Sequence, residues 1–103
     1  MSAVIIVATC YPKPEEKAGV IAAFEAAIAE VHDTEPGCEL YALHVGPDRL
    51  VMVEKYASQD AVDAHVKGTG LAGLRAALDG KLAAPMDVQV LTPHPAGTTK
   101  GAL

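Results

Sequence analysis

Tryptophan is absent from this chain, and one phenylalanine and three tyrosines are its only aromatic residues, which leaves few rings for stacking. Basic residues are also sparse: eight Lys and Arg against thirteen Asp and Glu give a net charge of −5. They are scattered without a patch, which argues against nucleic acid or an anionic membrane surface as a partner. No apolar run reaches the roughly 18 residues of a membrane span, so no membrane association is expected. The first ten residues, MSAVIIVATC, lack a basic leader region, and the polar stretch from Pro12 to Glu16 follows where a cleavage site would lie. That beginning reads as a strand and not a signal peptide, so a cytoplasmic location is expected. Cys10 and Cys38 have no metal-ligand spacing and are expected to be free and packed.

The standard chemical signatures are missing as well: CxxC, HExxH, the P-loop and GxSxG do not occur. Gly68-Thr69-Gly70-Leu71-Ala72-Gly73 fits G-x-G-x-x-G, but it interrupts a helical region instead of following a strand, so it reads as a joint between helical segments. His32, Cys38 and His44 form no metal site, because Cys38 and His44 stand six residues apart on one strand, roughly 20 Å. His94, between two prolines, is expected to be exposed. No metal is expected.

What is present is a chain that is half apolar, long enough for one domain with a genuine core. Residues 3–11 are a β-branched apolar run, hence a buried strand. Pro14 suits the first turn of a helix and Glu15 and Glu16 favour its positive end. Ile21, Phe24, Ile28 and Val31 then form a helical stripe reaching about His32, and Glu35-Pro36-Gly37 breaks it. Residues 38–45 alternate imperfectly and residues 50–56 follow a Gly46–Arg49 turn, which predicts a hairpin. Ser58 can cap a helix with Ala61, Val62, His65 and Val66 inward, Leu71, Leu74 and Leu78 mark a further helical stretch to about Asp79, and 85–91 alternate as a fourth strand. The order βαββαβ predicts an α+β, ferredoxin-like fold with a four-stranded antiparallel sheet and helices on one face. Residues 1–92 form the domain, and 93–103 are expected to be a flexible tail.

Two features go beyond the fold. Strand one is apolar on both parities, and in strand three Val51 and Val53 oppose Leu50 and Met52. Helices cover one face only, so the other calls for a cover, most simply the same face of a second copy. A homodimer through the sheet face is expected. Second, Glu54 and Tyr56 share the parity of Met52, and His65 lies about two turns along the helix that folds back over them. The three side chains are expected to line one pocket, where a neutral imidazole can take a proton near pH 7 and a carboxylate or phenol can orient it. The same pattern also fits a satisfied core histidine with Glu54 in a structural hydrogen bond.

The stretch from Val53 to His65, VEKYASQDAVDAH, resembles the signature of the antibiotic biosynthesis monooxygenase family: Glu-x-(Trp or Tyr), a short polar stretch, then Ala-hydrophobic-x-x-His. Glu35-Pro36-Gly37-Cys38 followed by Tyr41 is similar to that family's turn into its second strand, and the resemblance spans roughly residues 3–91. It implies a dimeric α+β barrel with a pocket in each protomer, and activity as a cofactor-independent monooxygenase of a small phenolic or quinol-type molecule. A non-redox isomerase of a small carbonyl compound and a non-catalytic dimeric ligand-binding protein are the alternatives. His65 and Glu54 are the expected catalytic residues, and Tyr56, Tyr41 and Met52 the expected substrate contacts. Gly70 stands where many members carry a second histidine. Haem use is not expected, because Leu74-Arg75-Ala76 offers no ligand.

Overall fold

The computed structural model describes residues 2–103. Strands β1 (Val4–Cys10), β2 (Cys38–Val45), β3 (Leu50–Tyr56) and β4 (Asp87–Leu91) alternate with helices α1 (Lys17–Thr34), α2 (Gln59–Val66) and α3 (Thr69–Leu78) in the order β1-α1-β2-β3-α2-α3-β4. The sheet runs β2-β3-β1-β4, and every neighbouring pair is antiparallel. This is the expected ferredoxin-like α+β arrangement.

The alternation along the central strands decides where the core lies. Ile6, Ala8 and Cys10 of β1 and Leu50, Met52, Glu54 and Tyr56 of β3 are buried, whereas the intervening Ile5, Val7, Val51 and Val53 are only half-buried. The buried parity faces the helices. Helix α1 presents Val20, Phe24, Ala27 and Val31 to it, with Ile21 and Ile28 half-buried at the stripe's margin. Pro14–Glu16 form a 3-10 turn that leads into α1, so the α-helix itself starts at Lys17. Strand β4 is shorter than residues 85–91 because Pro85 has no N–H for the ladder. Its start at Asp87 leaves Met86 free to pack on the core.

The glycine-rich segment resolves into two structural roles. Lys67 closes α2, Gly68 stands at the N-cap of α3, and the turn between the helices is complete within those two residues. Gly70 belongs to α3 itself and is buried against α1: a Cβ there would come within 2.7 Å of Val31 Cγ2. Its lack of a side chain lets the two helices approach closely, and Thr69 Oγ1 hydrogen-bonds Glu30 across the same seam.

A single irregularity in β2 has large consequences. The pairing jumps from Cys38 opposite Tyr56 to Leu40 opposite Lys55, so one extra residue is accommodated. Beyond that bulge Tyr41 pairs with Glu54 on the helix-covered side, and Leu40 is turned to the outer face. Without it the parity would reverse.

Replacing Gly70 by alanine is expected to overpack the α1–α3 seam and lower stability by about 1–3 kcal/mol. Urea denaturation of Gly70→Ala against wild type would check this, and an unchanged midpoint would contradict it.

Candidate active site

Helix α2 begins where Ser58 Oγ accepts a hydrogen bond from the Ala61 N–H at 3.3 Å. That cap sets the helical phase, and Val62 and His65 become its two buried positions. His65 is 5% exposed and Glu54, on β3 beneath it, 4%. Two of the expected residues thus meet. Tyr56 Oη donates to Glu54 Oε1 at 2.6 Å, and the Tyr56 ring lies 5.2 Å from the imidazole centroid at 45°. Tyr41 approaches the same imidazole edge-on, 5.3 Å between centroids at 61°.

The strongest contact to His65 comes from elsewhere. Its Nδ1–H donates to Glu35 Oε1 at 2.7 Å, from the residue that terminates α1. A carboxylate can only accept, so in the neutral imidazole this bond places the proton on Nδ1 and leaves the lone pair on Nε2. Nε2 is 3.9 Å from Glu54 Oε1, too far for a hydrogen bond. Glu35 Oε2 is buried and has no partner among the described residues. Gly68 makes room for it, since a Cβ there would stand 2.9 Å from that oxygen.

An adjoining cavity of about 390 Å³ lies between sheet and helices, small among ligand pockets, which run roughly 300–1,000 Å³. Tyr41, Met52, Glu54 and His65 line it, with Phe24 of α1 and Leu74 and Leu78 of α3 as apolar walls. Tyr56 does not line it; the side chain is fully buried beside Ile6 and Val62, and its hydroxyl serves Glu54. The other histidines lie apart: His44 and His94 are exposed, and His32 bonds the Tyr41 carbonyl oxygen at 3.1 Å through Nε2.

Burial dominates the electrostatics. It pushes the Glu54 carboxyl above its usual range, with Glu35 adding to the rise, while the Tyr56 hydrogen bond and His65 pull it back. Burial also pushes Tyr41 up, reinforced by the charges of Glu54 and Glu35, so its phenol stays protonated near neutrality. Cys38, beneath the same group, is pushed up to about 11, first by burial and then by Glu35. The arrangement holds one imidazole with an open nitrogen, one neutral phenol and an apolar chamber. Among the described residues no cluster of three His, Cys, Asp or Glu side chains could hold a metal ion.

The sequence reading missed Glu35 as a site residue. Thirty positions separate it from His65, and only its place just before Pro36-Gly37 hinted at a fixed position.

The model of the family "Antibiotic biosynthesis monooxygenase" matches residues 3–76, and the chain belongs to that family. It is 32% identical over 94 residues to "Putative monooxygenase Rv0793" of Mycobacterium tuberculosis, a match covering 89% of this chain and 92% of that one. The solved structure of Rv0793 superposes with a TM-score of 0.85 at 29% identity, over 94% of this chain and all of the other (100%). A Caulobacter crescentus protein named "putative antibiotic biosynthesis monooxygenase" gives 0.83 at 27% identity, over 87% and 88% of the two chains.

The raised Glu54 carboxyl has a signed consequence. Its contribution to stability is complete below the ordinary carboxylate pKa, about 4.3, and is lost as pH rises through the higher folded value. Glu54→Gln keeps an oxygen for the Tyr56 hydroxyl and removes this dependence. The variant is expected to gain stability relative to wild type as pH climbs from 4 to 7, measured by thermal unfolding at each pH. A gap that stays constant or narrows would contradict the assignment.

Proposed function

We propose that this chain is a cofactor-independent monooxygenase of a small phenolic or quinol-type substrate, working as a homodimer. The observation that carries the reading is His65 on the cavity wall, its Nδ1 held by Glu35 and its Nε2 without a hydrogen bond. Family membership and relatives named as monooxygenases support the class of reaction.

In this reading a quinol enters with its ring against Met52 and the apolar walls. His65 Nε2 takes the hydroxyl proton, and the buried Glu54 steadies the imidazolium that results. The electron-rich anion then reduces dioxygen directly, which an apolar chamber accommodates alongside the ring. A C–O bond forms at a ring carbon bearing hydrogen, giving a hydroperoxide. His65 returns its proton to the peroxide to make that hydroperoxide, takes the hydrogen of the same carbon as a proton while the O–O bond breaks, and passes it to the departing hydroxide, which leaves as water. The sum is quinol plus O₂ giving hydroxyquinone plus water: the substrate supplies four electrons, and the two oxygen atoms part between product and water. Tyr41, protonated and facing the cavity, donates to the substrate oxygen. Tyr56 acts behind Glu54.

The dimer reading rests on the outer sheet face. Ile5, Val7, Ala42, Val51 and Val53 are half-buried on the face opposite α1, α2 and α3, and a second copy would bury them.

Oxygen uptake by chelator-treated protein with a panel of quinols tests the chemistry. His65→Ala is expected to lose about 10²–10⁴-fold in turnover, the usual worth of a positioned base. Glu35→Gln is expected to lose about 10²-fold or more, because the tautomer is no longer enforced. Full uptake by His65→Ala would refute the mechanism, and product formed without oxygen consumption would indicate isomerase chemistry instead. Val53→Glu is expected to shift a wild-type dimer to monomer in sedimentation velocity. A monomeric wild type would remove the dimer reading.

A further inference from the structure

We propose that Arg75, at the rim of the cavity, recognises an anionic substituent, so that the favoured substrates are aromatic acids carrying a carboxylate remote from the reacting hydroxyl. This rests on the cavity being the substrate pocket described above, and it narrows the substrate class.

Among the residues lining the cavity Arg75 is the only Lys or Arg. It follows Leu74 on α3, so the buried leucine anchors the backbone while the guanidinium is exposed. Leu71, one turn before it on α3, and Leu78, Leu82, Met86 and Val88 of the same lining offer no acceptor side chain. Asp79 follows one turn later as the C-cap of α3, but among the described residues no carboxylate forms an ion pair with Arg75. A planar fork of donors with apolar surroundings is suited to bidentate binding of a carboxylate.

The buried part of the lining has the reverse character. Glu54 faces the chamber there, and Glu35 sits directly behind His65. A carboxylate substituent pushed towards His65 would meet two acids, and one left at the rim would meet Arg75. The exposed lining carries the cation and the buried lining the acids, which favours one orientation of an aromatic acid: hydroxyl towards Nε2, carboxylate outward. A net charge of −5 makes a local cation the more necessary, since the whole chain repels an anion before it arrives.

Anaerobic calorimetric titration with 2,5-dihydroxybenzoate and with hydroquinone tests this without requiring turnover. Wild type is expected to bind the acid about five- to tenfold more tightly, the modest end for a charge-assisted contact open to solvent. Arg75→Gln is expected to abolish that preference while binding hydroquinone unchanged, Arg75→Lys to keep part of it, and 0.5 M NaCl to shrink it in wild type. In oxygen uptake, Arg75→Gln should raise KM for the acid and leave kcat within about twofold. No preference in wild type, or the same preference in Arg75→Gln, overturns the proposal. If hydroquinone is oxidised while Arg75→Gln changes nothing, the recognition fails and the monooxygenase reading stands. If the acid binds through Arg75 with no oxygen consumed from either compound, the recognition stands and the monooxygenase reading fails.

Discussion

The bond from His65 Nδ1 to Glu35 ties the end of α1 to the last turn of α2, and the character of the site follows from it. A histidine buried among two tyrosines and a carboxylate could serve as packing. Held by a second carboxylate on one nitrogen, it has a defined tautomer and a defined open nitrogen. The arrangement is not optimal for stability. Glu35 keeps one buried oxygen without a partner among the described residues, and Glu54 is driven above its usual pKa range by burial. Each unmet polar atom of that kind costs about 1–3 kcal/mol, a cost that stability alone gives no reason to retain.

Two local departures from regular structure bring the elements to that point. The extra residue in β2 turns Tyr41 towards Glu54 instead of leaving Leu40 there, so a phenol and not an aliphatic chain faces the cavity. Gly70 brings α3 close to α1, which sets where Leu74 and Leu78 close the apolar wall. Neither feature is chemical, yet each decides which atoms a ligand would meet. The packing of α2 is equally economical: eight residues present only Val62 and His65 as buried positions, one for the core and one for the site.

The sheet has a division of labour between its faces. One parity of β1 and β3 carries the core and Glu54, and the other carries a mostly apolar surface that Thr9 and Lys55 interrupt. On β4 the helix-side residues Val88 and Val90, paired beside Ala8 and Ile6, remain 52% and 62% exposed. The cavity opens along that uncovered margin, with Val88 in its lining.

Local periodicity alone was enough for the element order, for β2 and β3 to the residue, for the Ser58 cap and for the shared parity of Met52, Glu54 and Tyr56. Each is set by neighbours within a few positions, where side-chain direction repeats every two or 3.6 residues. The motif around Glu54 and His65 likewise sufficed for the family. The pairing of Glu35 with His65, the withdrawal of Tyr56 behind Glu54, and the place of Arg75 at the cavity rim were decided by tertiary structure alone. A pattern read along the chain carries no information about which distant atoms meet once a bulge has shifted a strand and a glycine has let two helices close. The pairing of Glu35 with His65 joins residues thirty positions apart, and only the packed sheet and helices determine it.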